Sequence, residues 1–242
     1  MYKITSLNDQ GLGVCFVDNK ITFVYNTLIG DVIDLELIKE NSKYNLAKVT
    51  KYIKRSNNYL DSKCPFFDKC GGCNFLNMSY EDTLVFKKQK IERILKKFAN
   101  IETNVDIISS DNRYNYRNKI TLQVQDKKIG YYSYNTNEIV EINNCLLVKE
   151  SINKIIPILK SFNINNGKII IRTNYIDEIL INIISDDDII LISDIPSNVK
   201  GIIINDKVVY GQDYLIDTIG DYHFKISYDS FYIKNIRLCV EL

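Results

Sequence analysis

The chain is predicted to be mainly β with some α: a small OB-like β-barrel followed by an α+β domain that carries a four-cysteine cluster. Three observations lead there. Short β-branched runs broken by Asn, Asp and Gly recur along most of the 242 residues. Apolar residues fall at helical spacing in only two stretches. Finally, Cys64-Pro65-Phe66-Phe67-Asp68-Lys69-Cys70-Gly71-Gly72-Cys73 concentrates three thiols in one short loop, with Cys145 arriving much later.

Residues 1–56 form the predicted barrel. Apolar runs lie around Gly13 to Phe16, Ile21 to Tyr25, Val32 to Ile38 and Ala47 to Tyr52. Between them Asp18-Asn19 suits a hairpin turn, Gly30-Asp31 a sharp bend, and Asn41-Ser42 a break. The last run is basic, through Lys48, Lys51, Lys54 and Arg55, with Tyr44 and Tyr52 interleaved. Cations beside flat rings suit RNA, whose phosphates need neutralising and whose bases stack. The same lysines also suit a solvated strand edge guarded against aggregation.

Residues 57–230 are read as the second domain. It opens on the cysteine loop, 64–73, where Gly71-Gly72 lets the backbone turn tightly enough to aim Cys70 and Cys73 at one centre. The ligand type and spacing suit a cubane iron-sulfur cluster, and zinc is the rival occupant because four thiolates serve it equally well. Cys145, at the end of a predicted strand, is placed to complete the set. Cys15 and Cys239 sit in apolar runs and read as small core residues.

A helix is expected over about 79–98. Ser79 is a candidate N-cap, Glu81 and Asp82 occupy the first turn, and Leu84, Ile91, Ile94, Leu95 and Phe98 make an apolar stripe. A β-meander follows over about 115–230, interrupted by a second helix over 149–162 that Pro157 must kink or shorten. The lone His223 lies in an alternating run and reads as a strand-surface residue, not a catalytic base.

Composition excludes little but is informative. A net charge of +1 does not by itself announce nucleic-acid binding, so that case rests on where the cations sit. No apolar run approaches the roughly 20 residues of a membrane span and no signal peptide is evident, so a cytoplasmic protein without membrane association is expected.

The order of these pieces resembles the SAM-dependent RNA (uracil-5-)methyltransferases of the 23S ribosomal RNA type. The similarity runs from the N-terminal barrel through the cysteine loop and Met78-Ser79-Tyr80 to Tyr116-Arg117-Asn118-Lys119, Ile129-Gly130-Tyr131-Tyr132 and Glu138-Ile139-Val140 before Cys145. It continues through Tyr210-Gly211-Gln212-Asp213-Tyr214 to Ser230-Phe231-Tyr232. The resemblance implies that the barrel is a TRAM domain and that Cys64, Cys70, Cys73 and Cys145 hold a structural [4Fe-4S] cluster. Ribosomal RNA would be the partner, met by Lys48, Lys51, Lys54, Arg55, Arg117 and Lys119.

The sequence departs from the family pattern at Leu76 and Ile233, where relatives usually carry Gln. Residues 231–242 read as the start of a missing catalytic domain: no complete Rossmann-like SAM domain, catalytic cysteine or general base is recognised. The expectation is therefore an RNA-recognition part inactive alone, with S-adenosylmethionine used only by a full-length relative. Without that domain the 79–98 stripe invites self-association or a separate catalytic partner. The other function classes that the residues allow are a stand-alone iron-sulfur redox or sensor protein and a zinc-stapled RNA-binding adaptor.

Overall fold

Turn residues decide where the alternating runs become hairpins. At Asp18 and Asn19 both φ angles are positive, 48° and 62°, the conformation a two-residue hairpin needs to match strand twist. The computed structural model describes residues 1–134, 136–191 and 194–235. It divides into two units, Met1–Ser109 and Ser110–Leu242.

The first unit holds β1 (Tyr2–Lys3), β2 (Ser6–Leu7), β3 (Gly13–Val17), β4 (Lys20–Val24), β5 (Val32–Glu40) and β6 (Asn45–Lys54). They form one sheet in the order β1-β5-β6-β4-β3-β2, with β4 and β6 parallel. Its two ends belong to a single N-terminal segment: Tyr2 pairs with Ile33, while Leu7 pairs with Gly13. The sheet therefore closes on itself as a barrel. Ile4, Cys15, Val24, Ile33 and Ala47 fill it, with Leu35, Leu37, Val49 and Tyr52 packed around them. Each branched side chain so buried contributes about 1.5–3 kcal/mol. Burial also pushes the Cys15 thiol above the usual cysteine range, which suits an inert core residue.

Helix α1 (Tyr80–Ile94) begins where Ser79 Oγ accepts the Asp82 N–H at 2.9 Å. It runs on as a π-helical turn, Leu95–Ala99, and stops at Asn100 in the left-handed conformation. Within α1 only Thr83 is buried. Of the expected apolar stripe, Ile91 and Phe98 are exposed and Leu84, Ile94 and Leu95 are half-buried. The helix is tied to the barrel through polar groups instead. Lys90 Nζ donates to the Asp9 carbonyl at 2.9 Å, and Arg93 pairs with the Asp9 carboxylate. Phe75 supports the junction, its ring tilted against that of Phe86 at 5.0 Å between centroids. Its ring lies 2.3 Å from where a Cβ on Gly11 would stand, at a φ of +83°, so only glycine fits there.

The second unit holds β7 (Lys119–Gln125), β8 (Lys128–Tyr132), β9 (Ile139–Glu141), α2 (Glu150–Leu159), β10 (Gly167–Thr173), β11 (Ile179–Ile184), β12 (Val199–Ile204) and β13 (Lys207–Gly211). The strands form a sheet ordered β13-β12-β11-β10-β7-β8-β9 in which β11 and β12 run parallel. A separate hairpin joins β14 (Tyr214–Ile219) to β15 (Tyr222–Ser227). Ile120, Leu122 and Val124 alternate onto one buried face with Ile169 and Ile171. Helix α2 lies along β10, buries Ile152, Ile155, Ile156 and Leu159, and gives way to a 3-10 turn three residues after Pro157. On the other face Leu215 of the hairpin packs against Leu180 and Ile203. His223 is exposed, and its Nδ1 lies 3.0 Å from Thr218 Oγ1. No described helix is long and apolar enough to cross a membrane.

Candidate functional site

The segment leading into the cysteine loop is held to the barrel by a stack built on Arg55. Its guanidinium lies 3.2 Å from the Tyr52 ring centroid and 3.9 Å from that of Tyr59. Below it Asp31, with no exposed surface, accepts the backbone N–H groups of Leu28 at 2.8 Å and Ser56 at 2.6 Å, and stands 4.0 Å from Arg55. Burial raises the Tyr52 phenol above its ordinary range against the opposing pull of Arg55. Arg55 is thus drawn inward, while Lys51 and Lys54 on β6 stay exposed and Lys48 pairs with Glu36 at 3.1 Å on the surface.

The Asn26 carbonyl is a second pin, accepting from Tyr52 Oη at 3.0 Å and from Asn77 Nδ2 at 3.3 Å. Buried Phe67 anchors the loop itself, whose turns are closed by Phe67 N–H to the Cys64 carbonyl at 3.2 Å and Cys70 N–H to the Phe66 carbonyl at 2.7 Å. A cleft of about 200 Å³ opens beside Cys64, lined by Asn26, Arg55, Tyr59, Asp61, Asp68 and others.

Cys64, Cys70 and Cys73 are half-buried on this loop, and Cys145, also half-buried, belongs to the second unit. There Asn153 of α2 clamps its backbone, accepting the Cys145 N–H at 2.8 Å and donating to its carbonyl at 3.2 Å. Sequence reasoning did not single out Asn153, which lies eight residues downstream. Among the described residues no group of three or more His, Cys, Asp or Glu side chains is gathered to hold a metal ion. The donor chemistry itself, thiols and no carboxylate, fits iron-sulfur or zinc. Cys239 lies outside the described residues, as do residues 236–242 of the expected 231–242 segment.

In the second unit Arg117 is fixed by its backbone, with its N–H on the Leu147 carbonyl at 2.8 Å and its own carbonyl accepting from Lys149 at 2.9 Å. Its Nε lies 3.3 Å from Tyr116 Oη. Lys119 opens β7 directly opposite Arg172 of β10. Burial, and then Arg172, Lys234 and Lys168, hold the Lys119 amine below the usual lysine range. Arg172 is itself buried and donates to the Ser230 carbonyl at 2.5 Å. Burial lowers its pKa, with Tyr232, Asp217 and Asp229 acting the other way. A charged residue ending the run Lys168-Ile169-Ile170-Ile171-Arg172 is the signal that sequence reasoning passed over.

No family model matches the chain. An uncharacterized RNA methyltransferase of Clostridium tetani is 29% identical over 273 residues, covering 96% of this chain and 59% of the relative. One of Aquifex aeolicus is 25% identical, covering 94% and 59%. One of Caldanaerobacter subterraneus is 32% identical over a shorter stretch, covering 66% and 36%. Its relatives are RNA methyltransferases. The chain spans about three-fifths of the length of those it matches end to end. Among solved structures, the crystal structure of Pyrococcus abyssi tRNA (uracil-54, C5)-methyltransferase in complex with S-adenosyl-L-homocysteine shares the fold. It has a TM-score of 0.76 at 21% identity and covers all of this chain and 63% of that one.

Proposed function

We propose that these 242 residues are the RNA-recognition and iron-sulfur part of an RNA (uracil-5-)methyltransferase acting on ribosomal RNA. The observation that carries this reading is similarity to RNA methyltransferases over 96% of the chain. The choice of uracil as the target base draws its support from the fold shared with the tRNA uracil-C5 enzyme. The barrel is then a TRAM-type OB module, whose strand order, with one N-terminal segment at both ends of the sheet, suits such modules. Lys48, Lys51 and Lys54 grip RNA phosphates, Arg55 organises the junction behind them, and Arg117 and Lys119 meet the substrate from the second unit.

Recognition, not chemistry, is assigned to these residues because the described sheets are antiparallel apart from β4–β6 and β11–β12. They lack the strand-helix alternation of a nucleotide-binding α/β sheet. In the full-length relatives S-adenosylmethionine would be used elsewhere. Cys64, Cys70, Cys73 and Cys145 would hold a [4Fe-4S] cluster, which supplies a structural clamp and no redox step. Ser62, whose Oγ accepts the Cys64 N–H at 3.2 Å, Phe67 and Asn153 position those cysteines whichever soft metal is bound. A cytoplasmic location, where thiol ligands stay reduced, goes with this reading.

Two measurements test the reading. The purified chain should bind a ribosomal RNA hairpin with salt-dependent affinity and transfer no methyl group from added S-adenosylmethionine; methylation would overturn the assignment. Anaerobic preparations should contain iron and acid-labile sulfide in equal amounts, whereas stoichiometric zinc without sulfide refutes the cluster.

A further inference from the structure

We propose that Lys119, Lys168 and Lys234, set around the buried Arg172, form a phosphate-binding floor on the second unit's sheet that receives the backbone of a single-stranded RNA segment. This inference rests on the RNA-recognition reading and extends it to further residues of the second unit.

The floor follows from strand register. Arg172 pairs with Lys119, Ile170 with Thr121 and Lys168 with Gln123, so these six residues share one face of neighbouring strands. It is the face opposite the one carrying Ile120, Leu122, Ile169 and Ile171. The hairpin covers part of it, over Leu180 and Ile203. The β7–β10 part stays half-open: Lys119, Thr121, Gln123, Lys168 and Ile170 are all intermediate in exposure, and Tyr132 on β8 is exposed.

A third segment delivers the last cation. Asn118, buried at the head of β7, donates its side-chain amide to the Ile233 carbonyl at 2.9 Å and its backbone N–H to the Lys234 carbonyl at 3.2 Å. Asn235 donates to Ser110 Oγ at 3.3 Å. These bonds fix the backbone that carries Lys234 beside β7.

Charge decides the occupant. Four cations gather from three segments, and the carboxylates acting on this group, Asp217 and Asp229, act on Arg172. Asp217 Oδ1 accepts the N–H groups of Tyr175 and Thr218, at 2.9 and 3.0 Å, while its buried Oδ2 has no hydrogen-bond partner among the described residues and is left to balance Arg172. Among the described residues none of Lys119, Lys168 and Lys234 forms an ion pair. The three lysines so held repel one another, and a polyanion relieves that repulsion while releasing its own counterions. Thr121 and Gln123 between the cations offer hydrogen bonds to sugar and phosphate oxygens, and the exposed Tyr132 ring offers a base a stacking surface. That mixture fits a nucleic-acid strand better than an acidic peptide, which needs no ring.

The test uses the full chain and a short labelled single-stranded RNA, with affinity read by fluorescence anisotropy across a salt series. Each phosphate contact contributes about 0.7 to the slope of log affinity against log salt. The double variant Lys168→Gln/Lys234→Gln should lower that slope by about 1.4, whereas Lys168→Arg/Lys234→Arg should keep it. Lys48→Gln/Lys51→Gln/Lys54→Gln reports the barrel separately. If the barrel variant lowers the slope and the sheet variant leaves it unchanged, the floor is refuted and the RNA reading stands. If the unmodified chain binds the ribosomal RNA hairpin but not this strand, the floor is refuted and the RNA reading stands; if it binds neither, both fall. Competition by poly-glutamate at equal charge refutes the choice of RNA. In the unmodified protein, bound RNA should shield Lys168 and Lys234 from amine acylation read by mass spectrometry. Equal labelling with and without RNA refutes the floor without recourse to any variant.

Discussion

Replacing Asp31 by alanine probes the junction that carries the cysteine loop. The carboxylate is fully buried, accepts two backbone N–H groups at 2.8 and 2.6 Å, and faces the Arg55 guanidinium at 4.0 Å. A hydrogen bond to a charged group contributes about 1.5–3 kcal/mol, so the two bonds set a ceiling of about 6. Water entering the vacated volume recovers part of this. The Arg55 contribution is small, because that side chain is 31% exposed and the separation is long. A loss of about 2–4 kcal/mol is expected for Asp31→Ala. Asp31→Asn, which keeps one acceptor oxygen, should lose about half as much. Urea unfolding followed by near-ultraviolet circular dichroism reads the change as a shift in midpoint at constant slope, and amide exchange at Ile33 localises it to the barrel. A loss under about 0.5 kcal/mol for Asp31→Ala would refute the reasoning.

Three further outcomes are expected. Arg55→Ala should lower barrel stability while leaving the salt slope of RNA binding nearly intact, whereas Lys51→Ala should do the reverse; the two variants behaving alike would show Arg55 to be a phosphate contact. Ser79→Ala removes the acceptor of the Asp82 N–H and should cost about 1 kcal/mol, read by thermal unfolding with exchange at the first turn of α1. Asp187 is held at about 2 by the Asn166 N–H, the Asn165 side chain and N–H, and Ser185 Oγ. Its folded pKa lies below the ordinary value of about 3.9, so its stabilisation is complete above that pH and is lost as pH falls through about 2. A carboxyl titration by NMR with its midpoint near 4 would contradict this.

The mainly β class was legible because alternation at Ile120, Leu122 and Val124 is a local property, as are the Asp18-Asn19 turn and the Ser79 cap. Residues Tyr2–Lys3 and Ser6–Leu7 carry no such signal. Two-residue strands have no period to read, and only pairing with Ile33 and Gly13 makes them strands. Periodicity along 79–98 identifies a helix but cannot say what covers its stripe, and Phe98 is 76% exposed. In the sequence Arg55 is one more cation at the end of a basic run. Only the folded chain brings Asp31 and Tyr59 to it. The gathering around Arg172 was hidden for the same reason, since Lys119, Lys168 and Lys234 are far apart in sequence and meet through register and Asn118.

That one short leader strip seals both flanks of the barrel makes the module vulnerable at a single place. Cutting away Tyr2–Leu7 would bare the rims of β3 and β5 together, unpairing Gly13 and Val14 on one and Val32 and Ile33 on the other. A trimmed version should then stick to its own kind, while a fusion partner attached ahead of Met1 leaves the seal whole.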